Sequence, residues 1–242
     1  MLTAVEKQVL VDLGVGDKAV AVKFAIEPPG VGRLEDKMTL CEMLKHALEG
    51  EAFYAEPSDH ACDAGLYILG QTEIKEKYIN GEYGHGLQIF DSPRAGARLY
   101  HHLYRVNGIT FRHLVFSPVL SADFEPDLLI VFADTTKAEI MLRALSYKTG
   151  AMWHSKFTPA IGCSWIFAYP FVSGEVNHAI TGLGFGMRRR RLFAEGQHLL
   201  CVPFPVMHGW LETLREMPWV PEPYGPDGLE YVRKLRLRLG LD

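Results

Sequence analysis

The chain has 242 residues, 48% of them apolar and 22% charged, with a formal net charge of −4. That composition belongs to a folded globular protein able to bury a substantial core, and the charge argues against general nucleic-acid binding. No run approaches the about 18 apolar residues of a membrane-spanning helix, and Met-Leu-Thr-Ala-Val-Glu-Lys at the start lacks the pattern of a signal peptide. The expectation is a cytoplasmic protein whose four widely separated cysteines stay reduced and form no disulfide framework.

Residues 2–14 read as an amphipathic helix with Leu2, Val5, Val9, Leu10 and Leu13 on one side. Ala19 to Ile26 is apolar and β-branched, bounded by Pro28-Pro29-Gly30, and reads as a buried strand. Thr39 followed by Glu42 is a capping box, so a helix is predicted through Leu40, Met43, Leu44, Ala47 and Leu48, with Gly50 ending it. Cys41 then lies in the first helical turn, where free N–H groups and the macrodipole favour a thiolate. After a loop comes Cys62, followed by a predicted strand over Leu66 to Leu69. Thr72 to Ile79 reads as helix, Gly81, Gly84 and Gly86 as a turn, and Ser92-Pro93 opens a helix to about Tyr104. Ile109 to Val119 and Asp127 to Ala133 are predicted strands, Lys137 to Lys148 a helix, and Trp165 to Tyr169 and Leu199 to Phe204 further strands. A last helix begins near Pro226 and carries a basic last turn.

The halves show a faint duplication. Val20–Phe24 and Leu128–Phe132 each precede a capping pattern, Thr39/Glu42 and Thr136/Glu139, then a helix, a glycine (Gly50, Gly150) and a cysteine (Cys62, Cys163). The alternative is the ordinary likeness of any two strand–helix–strand units. If the repeat is real, Cys62 and Cys163 are equivalent and could meet across a pseudo-twofold axis, with Ala138 as the counterpart of Cys41. The predicted class is α/β, with α+β as the alternative: mixed sheets with flanking helices in one domain. Its halves would be about 17–108 and 109–206, followed by a helical extension over 207–242.

The order of these features resembles an uncharacterised prokaryotic family, the "domain of unknown function 169" family, over nearly the whole chain. The matching residues are Leu40-Cys41-Glu42, Ala47 to Gly50, and His60-Ala-Cys-Asp-Ala-Gly-Leu-Tyr-Ile-Leu-Gly70. Pro126-Asp-Leu, Gly162-Cys163 and Gly182 to Arg188 complete the set. The resemblance implies a shared fold and brings no activity. Cys62-Asp-Ala-Gly departs from the smaller, glycine-richer stretch expected after that cysteine, which leaves its role open.

Cys41, Cys62 and Cys163 are the candidate cofactor and metal ligands. Three thiolates with one open position suit an iron–sulfur cluster that binds substrate, or a metal such as zinc with an exchangeable water. The bland alternative is three small buried hydrophobes, and Cys201 reads as core alone. His60 is a candidate substrate-binding residue or proton donor, against a loop histidine bonded to backbone. Arg188, after the glycine-rich Gly182 to Gly186, is a candidate for holding a carboxylate or phosphate, against a solvated basic surface. No Gly-x-Ser-x-Gly elbow supports a serine hydrolase. The leading expectation is a metal- or iron–sulfur-dependent protein acting on a small anionic molecule, with neither nucleic acid nor membrane as partner. Its rivals are a ligand- or partner-binding protein with structural cysteines, and metal-free thiol chemistry at Cys41.

Overall fold

The computed structural model describes residues 1–27, 29–107 and 111–241. Its frame is one seven-stranded mixed sheet in the order β2-β3-β4-β1-β5-β7-β6. The strands are β1 Ala19–Ala25, β2 Gly32–Arg33, β3 Phe53–Ala55, β4 His113–Pro118, β5 Leu128–Ala133, β6 Asn177–Ile180 and β7 His198–Pro203. β2 and β3 run parallel, and every other pair is antiparallel. The two central strands explain the architecture. Val20 and Val22 of β1, with Leu128, Ile130 and Phe132 of β5, enter one core, whereas Ala19, Leu129, Val131 and Ala133 enter the other. An apolar run buried on both faces needs a helical layer over each, which makes the fold α/β.

On the first face lie α2 Leu40–Leu48, α3 Asp63–Ile68 and a buried π-helix, Ser164–Ala168, that continues into α8 Tyr169–Ser173. On the second lie α1 Ala4–Asp12, α7 Thr135–Ser146 and α10 Phe204–Glu216. The short helices α4 Glu76–Ile79, α5 Glu82–Gly86 and α6 Pro93–Tyr100 form a separate wall, and α9 Phe185–Arg190 and α11 Gly228–Leu239 complete the chain. The capping box at Thr39 and Glu42 forms as expected, and Ser92 caps α6.

Several local expectations are corrected. Leu66–Leu69 is no strand: its first three residues belong to α3 and Leu69 caps it, with N–H groups donating to the carbonyls of Cys62 and Gly65 four residues back. Trp165–Tyr169 is likewise helical, in the π-helix and the start of α8. Both are short apolar runs, which periodicity cannot divide between strand and buried helix. Of the helix over Thr72–Ile79 only the last turn forms, α6 stops at Tyr100, and β4 starts at His113, residues 108–110 lying outside the described chain. The cap of α7 is Asp134, which accepts from the Lys137 N–H at 2.9 Å, while Glu139 pairs instead with Arg143. β6 and α9 were not expected. The helices α2 and α7 of the two halves sit on opposite faces of the sheet, and Ala138 lies in the second core.

Candidate functional site: a cavity lined by three thiols

Two chain segments are clamped together just before the first two cysteines. Met38 and His60 form an isolated bridge, with the Met38 N–H donating to Asp59 O at 3.0 Å and the Ala61 N–H to Met38 O at 2.9 Å. Both helices therefore start side by side. The Thr39 N–H donates to the Glu42 carboxylate at 2.8 Å and opens α2 with Cys41 in its first turn, while Cys62 is the N-cap residue of α3.

Cys163 arrives from the other half on a more constrained path. Ile161, two residues earlier, has φ +55°, a left-handed conformation costly for a β-branched side chain. Ser164 then ties the start of the π-helix to the chain beyond α6: its hydroxyl donates to Tyr104 O at 2.8 Å and accepts from the Tyr104 N–H at 2.9 Å. Strained backbone and π-turns both concentrate at functional sites.

All three cysteines line one cavity of about 300 Å³. Cys41 and Cys163 are buried and Cys62 is half-buried, while Cys201 sits on β7 in the core, away from the cavity. The expected thiolate at Cys41 is overturned. Burial pushes its thiol up to about 12, with a further rise from Cys62 that Arg190 only partly offsets. Desolvation of the buried helix start outweighs the field of its free N–H groups. Burial likewise raises the Cys163 thiol well above the ordinary value, with Cys41 and Cys62 adding to the rise. Among the described residues, no group of three or more His, Cys, Asp or Glu side chains stands arranged to hold a metal ion.

Arg188 lies elsewhere. It is exposed, pairs with Glu195 at 3.3 Å and lines a separate depression. The cavity is lined instead by Arg189 and Arg190. Arg190 shares a face of α9 with buried Met187, three residues before it, and reaches Glu42 of the capping box at 3.4 Å. Burial raises the Glu42 pKa, but the Thr39 N–H and hydroxyl together with Arg190 bring it below the carboxylate norm. With a helix recognised at 185–190, the spacing from Met187 would have pointed to Arg190. His60 is buried and bonded through its backbone, does not line the cavity, and keeps an unpartnered Nδ1. Burial lowers its pKa to about 4, so it is a neutral core histidine. Tyr78, Tyr83 and Tyr100 also line the cavity and were missed: Tyr78 and Tyr100 fall on two predicted helices and Tyr83 in a glycine-rich turn, and no local pattern joins the three into one wall.

The model of an uncharacterised family, ArCR, the domain of unknown function 169, matches residues 11–212. That span holds every cavity residue named above and leaves out α11. An uncharacterised protein of Methanocaldococcus jannaschii is 27% identical over 156 residues, 62% of this chain. The match spans 66% of that relative, just under two thirds of its length. No solved structure matches the chain. Among the described residues no helix is long and apolar enough to cross a membrane.

Proposed function

The chain belongs to the uncharacterised ArCR family, the domain of unknown function 169, and from its cavity we propose a metal- or iron–sulfur-dependent protein acting on a small anionic molecule. The observation that carries this reading is selective convergence: three of four cysteines, distant in sequence, line one cavity, and the fourth does not. Three thiol donors leave one position of a tetrahedral metal, or one iron of a cubane, open to a ligand. Loading would release the thiol protons, and Arg190, which lowers the pKa of both Cys41 and Cys163, favours that release. The role first given to Arg188 passes to Arg189, since Arg190 is held by Glu42. Four free cysteines support a reducing compartment, and we place the protein in the cytoplasm as part of the same proposal.

The test is anaerobic purification followed by metal analysis and a visible spectrum. Bound metal, or the absorption of a cluster, should be present and should be lost in Cys41→Ala, Cys62→Ala and Cys163→Ala but kept in Cys201→Ala. Protein that stays free of metal after reconstitution with zinc, and with iron and sulfide, would sink the proposal. The second reading, a ligand-binding protein with structural cysteines, would then stand. It is favoured by the buried, protonated thiols and by their present spacing.

A further inference from the structure

The cavity has a second wall, made of oxygen donors. Tyr78 and Tyr83 pack with ring centroids 4.7 Å apart at 59°, and Tyr100 joins them from α6. None of the three hydroxyls has a hydrogen-bond partner among the described residues. Burial pushes the Tyr100 hydroxyl up to about 12 and raises that of Tyr78, so both stay protonated and able to donate. At the rim, exposed Arg189 makes no ion pair or side-chain hydrogen bond among the described residues. The other charges there are committed: Arg190 to Glu42, and Asp63 to Lys75 at 3.3 Å. Phe90, Leu99 and Ile161 line the cavity with apolar surface.

We infer that this side of the cavity recognises a small monocarboxylate with an apolar body, Tyr78, Tyr83 and Tyr100 donating to its oxygens and Arg189 meeting its charge. The inference rests on the reading of the cavity as a site for a small anionic molecule, and names its class. One unpaired cation matches one negative charge, and three neutral donors satisfy carboxylate lone pairs without adding charge. A bare phosphate would leave the apolar lining without a partner.

Isothermal titration of the anaerobically purified protein with benzoate, benzyl alcohol and inorganic phosphate tests this. Benzoate should bind one to one and about tenfold tighter than either of the others. Arg189→Ala, at an exposed position, should weaken benzoate about tenfold, and the shape-conserving Tyr100→Phe several-fold, with Cys201→Ala unchanged. The inference is overturned if benzoate fails to bind, if benzyl alcohol or phosphate binds equally well, or if Arg189→Ala and Tyr100→Phe leave its affinity unchanged. Protein that carries metal yet ignores benzoate defeats this inference alone. Benzoate binding to protein that cannot be loaded with metal defeats only the metal reading.

Discussion

Charge placement at single residues follows burial more closely than sequence context in this protein. Cys41 has the helix position that lowers a thiol pKa, yet lies among apolar neighbours and is raised. His178 behaves the same way at the sheet edge. Burial lowers its pKa, His198 adds to the effect, and its Nε2 lies 2.9 Å from His198 Nδ1. Because the folded-state pKa lies below the unfolded value of about 6.5, the unfolded chain binds more protons in the interval between them. Stability should therefore fall as pH drops below about 6.5 toward the folded value, and be independent of this group above that range. Buried His60 adds to the loss in the same direction. Urea unfolding across pH 4.5–7.5 should show a shallower slope for His178→Gln than for the parent chain; an identical slope would refute the assignment.

At the scale of elements, the tyrosine wall depends on how closely α5 and α6 approach. Gly81 has φ +84°, and a Cβ there would lie 1.9 Å from Pro93 O and 2.4 Å from Ala97 N. Gly96 faces it, with a Cβ meeting Gly81 O at 2.7 Å. Gly81→Ala therefore combines a left-handed alanine with a clash against backbone, together about 3 kcal/mol or more. In a chain of this size that corresponds to a loss of about 6–12 °C in Tm, and benzoate binding should go with it. Gly86→Ala is the control: nothing lies within 4 Å of its Cβ and its φ is not positive, so Tm should hold within about 2 °C. Equal melting temperatures for the two variants would show that the helices can separate without cost.

For the whole molecule, the sheet is shared by both halves of the chain, since β1 pairs with β5, and the cavity draws residues from both. The helix α11 stands apart from this. It lies beyond the matched span of residues 11–212, and Leu229 on it is 91% exposed, with Val232, Leu237 and Leu239 also exposed. Truncation after Gly225 removes little buried surface, so Tm should shift by no more than about 2 °C. Metal content and benzoate affinity should be unchanged. A drop beyond about 5 °C would mean that α11 supports the core in a way its exposure does not indicate.

Long, strongly patterned segments were legible from the sequence alone. The strands at β1, β5 and β7, the capping box of α2 and the Ser92-Pro93 start of α6 rest on local chemistry: short continuous apolar runs, side chains that satisfy free N–H groups, and a proline suited to a first turn. Cys41, Cys62 and Cys163, grouped apart from Cys201 on sequence, line one cavity, and Cys201 does not. What local chemistry could not decide was anything set by a partner distant in sequence. Leu66–Leu69 and Trp165–Tyr169 became helical because short apolar runs take whichever conformation buries them best against the sheet. Which arginine faces the cavity depended on the phase of α9, and the tyrosine wall on the contact between Gly81 and Gly96. The thiol pKa values depended on how completely the assembled fold excludes water from the start of α2, a property of the tertiary packing that no window of sequence contains.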